Sequence, residues 1–265
     1  MLRIAEGREA EVFLRDDGRI LKVFREAAYL DRAQRELDAL AVLKVAGVAA
    51  PAAYEIVDVE GRPGLVMDRV DGVDLLTALG SRPYLVWRAG RTMARAHAAM
   101  HDVEAPPTLP SLNDELAGRI EAAAGGALSK ELADFALHVL SRRPHGDRLC
   151  HGDFHLGNIL GSWAAPAIID WGDASRGDPV ADVARTELLH RFGELPPGTP
   201  PMLRALAKVG RGVLVARYMR VYRKRHAVDR AELNQWEIVR AAARFIEGIE
   251  AEYEPLTRFL ERARR

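Results

Sequence analysis

The chain has 265 residues, of which 48% are hydrophobic, and its 38 Lys plus Arg are matched by 38 Asp plus Glu. That length buries roughly three quarters of the unfolded surface in one large domain or two modest lobes, and the charge balance gives no reason to expect nucleic acid or a membrane surface as partner. A single cysteine, Cys150, excludes an internal disulfide framework, and no run approaches the roughly 18 apolar residues of a membrane span; with no signal-peptide core in Met1 to Glu6, the expected location is the cytoplasm.

The first seventy residues read as a small, strand-rich lobe. Leu2 to Ala5, Glu11 to Arg15 and Arg19 to Phe24 are β-compatible runs, and Asp16-Asp17-Gly18 joins the last two as a hairpin. Between the first two lies Glu6-Gly7-Arg8-Glu9-Ala10, where glycine permits a tight turn. In Ile20-Leu21-Lys22-Val23-Phe24, alternation places Lys22 on the inner face with Ile20 and Phe24. A lysine there needs an anionic partner, because a buried ammonium alone is costly. The spacing of Ala33, Leu37, Leu40 and Leu43 predicts a helix capped by Asp31 and stopped by Gly47 and Pro51. Glu36 lies one turn before Leu40 on a similar face and is the expected partner of Lys22; Glu26 is the rival. Tyr54 to Val59 and Leu65 to Met67 flank another hairpin turn, Glu60 to Gly64.

Beyond Asp71-Gly72 the composition changes to helices, predicted over Trp87 to Met100, Asp114 to Ala124, Lys130 to Leu140, Met202 to Arg225 and Ala231 to Tyr253. Pro106-Pro107 and Leu195 to Pro201 are turn-rich connections, and there is no repeat or low-complexity segment. A strand-loop-strand insert interrupts the helices. It contains Cys150-His151-Gly152-Asp153-Phe154-His155-Leu156-Gly157-Asn158 and, further on, Ile169-Asp170-Trp171-Gly172-Asp173. An acid, an amide and a second acid, each beside apolar runs, can orient a hydroxyl and hold magnesium through oxygen ligands.

These motifs resemble those of the aminoglycoside phosphotransferase and choline kinase family, with His151-Gly152-Asp153 in the place of His-Arg-Asp and Asp170-Trp171-Gly172 in the place of Asp-Phe-Gly. The resemblance implies an α+β, two-lobed protein-kinase-like fold. Its small antiparallel-sheet N-lobe with one helix would be residues 1–70, and its larger, mainly helical C-lobe 71–265, with the catalytic loop at 149–173. It implies ATP as donor, with GTP as the alternative, and Mg2+ held by Asn158 and Asp170. Asp153 would be the catalytic base and Lys22 the contact to the α- and β-phosphates, supported by Glu36. The Gly7 turn would cover the phosphates, the Asp68 carbonyl and Val70 N–H would read the adenine edge, and Met67 would lie behind the ring. His97 and His151 would be structural supports, and Asp173, Asp178 and Asp182 structural acids, with Asp182 bracing the loop.

The acceptor that the resemblance implies is a small-molecule hydroxyl compound, first an aminoglycoside-like or amino-sugar molecule, then choline, a sugar or another metabolite. Glu247, Glu250, Glu252 and Glu254 favour a cation, whereas Arg217, Arg220, Arg223, Lys224 and Arg225 suit an anionic or sugar-like one. A monomer or homodimer is expected. Two other classes stand beside the kinase: a kinase-like binding module without turnover, and a metal-dependent hydrolase with zinc on His151, Asp153, His155 and Asp170. The hydrolase leaves Gly7, Lys22, Glu36 and Asn158 unexplained. A protein kinase is disfavoured because Asp178-Pro179 opens a helix soon after Asp170.

Overall fold

A computed structural model describes residues 1–7, 9–193 and 201–265; Arg8 of the glycine turn and most of the predicted 195–201 connection lie outside this set. The N-terminal part is a five-stranded antiparallel sheet with strand order β1-β2-β3-β5-β4. Its strands are Leu2–Glu6 (β1), Ala10–Leu14 (β2), Ile20–Phe24 (β3), Ala53–Val59 (β4) and Arg62–Met67 (β5). The β4–β5 turn is tighter than predicted. Glu60 and Gly61 both take the left-handed conformation that a two-residue hairpin turn requires, so β5 begins at Arg62.

Alternation sorts the residues of β3. Leu21 and Val23 join Val66 in a small cluster on one face, while Phe24 belongs to the main core with Leu40 and Leu43 of helix α1, Leu30–Ala46. Each such side chain contributes about 1.5–3 kcal/mol by leaving water. Lys22 shares the helix-side face, as the period of two dictates. The predicted cap of α1 is corrected: Tyr29 occupies the cap position without a side-chain bond, and Asp31 sits in the first turn, where its charge complements the helix dipole. The end matches expectation, with Gly47 left-handed.

The second lobe is built from α2 (Leu75–Ser81), α3 (Val86–Met100), α4 (Leu112–Ala123), α5 (Lys130–Leu140), α6 (Pro179–Phe192), α7 (Pro201–Tyr222), α8 (Arg230–Ala243) and α9 (Glu250–Arg264). Helix α2 is too short to show a helical period in the sequence. Its signal is Asp74, whose two oxygens accept from the N–H and hydroxyl of Thr77 at 2.8 and 2.7 Å. The single helix predicted from 231 to 253 is corrected to two: α8 gives way to a 3-10 turn at Arg244–Glu247, and left-handed Gly248 ends it before α9 begins. The fully buried Trp171, Trp236, Tyr218, Tyr222 and Phe154 centre this lobe. No helix among the described residues is long and apolar enough to cross a membrane.

Two small antiparallel pairs place the motif loops side by side. Arg148–Cys150 (β6) pairs with Ser175–Gly177 (β9), and Ile159–Gly161 (β7) pairs with Pro166–Ile168 (β8). Residues 151–158 and 169–174 therefore leave and re-enter the same ladders. Helix α1 is tied across to this lobe by a two-pronged Arg35–Glu115 pair at 3.0 and 3.1 Å and by Arg32–Asp173 at 3.0 Å.

Candidate active site

Lys22 joins the two lobes at one atom. Its ammonium lies 2.6 Å from Glu36 Oε2 and 2.7 Å from Asp170 Oδ1, so the strand, α1 and the second motif meet there. Burial opposes the charge of Lys22, but the two carboxylates outweigh it and lift the pKa above the ordinary lysine value. Lys22 in turn holds Asp170 below the usual carboxylate range. The other oxygen of Glu36 accepts the N–H of Trp171 at 3.3 Å, so this one acid fixes both Lys22 and the backbone after Asp170. Glu26, the rival partner, is exposed.

The first motif is held from beneath. Gly152 has φ +83°, and a Cβ there would sit 2.5 Å from the Asp173 carbonyl oxygen, so glycine is required where the two loops touch. The buried Asp182 of α6 accepts the N–H groups of His151 and Gly152 at 2.7 and 3.0 Å. The same carboxylate meets Nε2 of His97 at 3.2 Å and Nε2 of His101 at 3.4 Å, and the Nδ1 atoms of these rings lie 2.6 Å from the hydroxyls of Tyr218 and Tyr222. Burial, and then the neighbouring His101, push the His97 pKa down to about 3, so the ring is neutral. Burial opposes the charge of Asp182 too, yet the two imidazole N–H donors keep it well below the usual range. Among the described residues, His97, His101 and Asp182 are the cluster close enough to share a metal, and hydrogen bonds account for every ligand atom in it.

His151 is enclosed. Its Nδ1 accepts the Asp153 N–H at 3.2 Å and its Nε2 donates to the Ile169 carbonyl at 3.0 Å, which bridges the two motifs and leaves neither nitrogen for a metal. The zinc set considered for a hydrolase therefore lacks its first ligand. Asp153 keeps its side chain 32% exposed, with Oδ1 at 3.1 Å from Arg185 and Oδ2 at 3.4 Å from His155. Burial would raise its pKa, but the bond from His155 and the Arg185 charge hold it far below the usual range. Asn158 donates to the Asp153 carbonyl at 2.9 Å, which turns its amide oxygen the other way. Asp170 keeps half of its side chain exposed despite Lys22.

The remaining predicted positions line the N-terminal side. The Gly7 N–H closes its turn on the Ala10 carbonyl at 2.8 Å, and its own carbonyl accepts from Arg25. Asp68 follows β5 directly, its N–H on the Ala52 carbonyl and its carboxylate on the Tyr54 hydroxyl. Within the described residues no backbone partner meets the Asp68 carbonyl or the Val70 N–H.

The acidic run near the end of the chain divides. Glu252 and Glu247 are bound by Arg244 and Glu247 also by Arg185, whereas Glu250 and Glu254 are exposed. Sequence reasoning missed Arg185, Arg32 and Arg119. The last two converge on Asp173 at 3.0 and 2.8 Å, and Arg32 also reaches Glu9 of the glycine turn at 2.8 Å. Their signal was only an excess of arginine on helices, which ordinarily marks a solvated face.

No curated protein matches the chain. Among solved structures it is similar to an amicoumacin kinase in complex with AMP-PNP and Ca2+, at TM-score 0.66 and 16% identity over 98% of this chain and 86% of that one. A choline/ethanolamine kinase family protein from Mesorhizobium loti gives TM-score 0.63 and 18% identity, with coverage of 98% and 90%. An aminoglycoside phosphotransferase from Streptomyces rimosus, in complex with ADP and streptomycin, gives 0.55 and 20%, with coverage of 88% and 90%. These likenesses establish the kinase-like fold. The phosphotransferase enzyme family matches residues 1–213, a span that holds both lobes' contributions to the Lys22 cluster and the loop beneath it, and the chain belongs to that family.

Proposed function

We propose that the chain transfers the γ-phosphoryl group of ATP to a hydroxyl of a small-molecule acceptor. The observation that supports this reading is the contact of Lys22 with both Glu36 and Asp170, which brings a cation of one lobe against an acid of the other. Residues 1–70 would form the nucleotide side, with Lys22 on the α- and β-phosphates, the Gly7 turn above them and the Asp68 carbonyl and Val70 N–H on the base. GTP is the alternative donor. Mg2+ suits the oxygen donors of Asn158 and Asp170, one aimed away from its own hydrogen bond and the other half exposed; when bound it neutralises charge on the phosphates.

Asp153 orients the acceptor hydroxyl and receives its proton. Because Arg185 and His155 keep Asp153 ionised, it is a weak base towards a free hydroxyl and accepts the proton as the new P–O bond acidifies that oxygen. An aminoglycoside-like or amino-sugar acceptor ranks first, in keeping with the amicoumacin and aminoglycoside enzymes among the similar structures, and choline-like or sugar acceptors follow.

The test is ADP release with MgATP or MgGTP over aminoglycosides, other antibiotics, sugars and amino alcohols. Turnover with one acceptor class is expected. Asp153→Asn should lower it by roughly a thousandfold while MgATP binding persists. Unchanged turnover in that variant would remove Asp153 from the mechanism, and nucleotide binding without turnover on any hydroxyl compound would favour the non-catalytic module.

A further inference from the structure

Arg185 of α6 is 91% enclosed at its side chain and sends three bonds in three directions. Nε donates to the Gly152 carbonyl at 3.2 Å, one terminal nitrogen to Asp153 Oδ1 at 3.1 Å, and the other meets Glu247 Oε1 at 2.7 Å. Glu247, on the 3-10 turn between α8 and α9, also takes a bond from Arg244 at 2.8 Å, and Arg244 grips Glu252 of α9. Five charges of alternating sign thus run from the carboxylate in the cleft to the last helix.

We propose that Arg185 is the positioning residue for Asp153 and that Glu247 sets Arg185; this rests on the reading of Asp153 as the residue that meets the acceptor hydroxyl. Asp182 and Arg185 are three positions apart and therefore share a face of α6. Asp182 accepts the Gly152 N–H and Arg185 donates to the Gly152 carbonyl, so one helical turn holds this residue's backbone by both polar groups. The same planar guanidinium fixes one oxygen of Asp153, which sets the rotation of the carboxylate and presents the other oxygen to the cleft side, near His155. Loop backbone and reacting side chain are thereby referred to a single rigid group.

Glu247 has a second part in this arrangement. When Asp153 takes up a proton, Arg185 loses a counter-charge in a buried setting, where an unpaired ion is strongly destabilised. Glu247 keeps the guanidinium neutralised through that step, so Arg185 has no cause to leave its place.

The experiment measures kcat and KM for ATP in the full-length chain, by ADP formation with Mg2+ and the fastest acceptor of the panel above. Arg185→Met should lower kcat by about a hundredfold, the scale of a misplaced reacting group, with KM for ATP within about threefold and AMP-PNP affinity unchanged. Arg185→Lys should recover part of the loss. Glu247→Gln, which preserves shape, should lower kcat by about tenfold with the same split, and it decides the matter if Arg185→Met does not fold. Wild-type kcat in Arg185→Met and Glu247→Gln, or a loss that appears equally in KM for ATP, overturns the proposal. If Asp153→Asn is inactive while Arg185→Met is not, only this inference fails; if Asp153→Asn retains turnover, the reading of Asp153 fails first.

Discussion

Two buried carboxylates support the cleft from different sides, and they work by different chemistry. Glu36, on helix α1 against the sheet, neutralises a cation and accepts one backbone N–H. Asp182, beneath the loop that carries Asp153, accepts two backbone N–H groups and the Nε2–H groups of two imidazoles, with the cation Arg240 farther off at 3.6 Å. The first support is a charge pair open to the cleft through Asp170; the second is a hydrogen-bonded plug sealed from water. A charge pair that meets ligand can be rebuilt in each catalytic cycle. A plug of neutral donors around one anion fixes geometry and has little to exchange with the ligand.

Four substitutions or conditions would break or sharpen this contrast. Asp182→Ala should have the largest effect on the fold, because it strands two buried N–H groups and two imidazole N–H groups; we expect a loss of about 3 kcal/mol or more, read as a lower urea midpoint. If stability is unchanged, the plug is not structural. Glu36→Gln should leave stability nearly intact and lower kcat/KM for ATP by about thirtyfold, or ~2 kcal/mol, since Lys22 keeps Asp170 but loses its neutralising partner inside the lobe. Equal effects of these two variants on stability would erase the distinction.

The pH dependence separates the halves next. His97 has its folded pKa depressed to about 3, so between the unfolded value of about 6.5 and that point the unfolded chain binds a proton the native chain does not. Stability should therefore fall as pH drops through this window, by ~1.4 kcal/mol per pH unit per proton. His97→Gln should flatten the fall between pH 6 and 4.5, and an unaltered slope would contradict the assignment. The Lys22 pair behaves oppositely. Its pKa is raised, so its contribution is present below the ordinary lysine value and is lost only in strong alkali. Smallest of all, Tyr222→Phe removes one buried hydroxyl bond to His101 and should cost about 1 kcal/mol with kcat unaltered; a large drop in kcat would make the plug a participant in turnover.

The contrast also explains what could be read from sequence. Lys22 announced itself because a cation inside an apolar strand demands an acid, and helical spacing then singled out Glu36. The two loop motifs were legible through their resemblance to a known family. Asp182 was legible as a brace only through that same resemblance, and its partners were not legible at all. His97 and His101 lie more than a hundred residues from the tyrosines that meet them, and backbone N–H groups leave no trace in residue types. Arg185 and Glu247 were obscure for another reason: 231–253 reads as one continuous helix, and only Gly248 marks the break that turns Glu247 towards α6.

One feature of the fold bears on how such an enzyme is governed. Helix α1, which carries Glu36, is clamped to the second lobe by Arg35–Glu115 and Arg32–Asp173. Kinases that swing the equivalent helix use it as an on-switch. Here two arginine–carboxylate ties latch that helix to the other lobe, and Glu36 meets Lys22 with no swing of the helix needed.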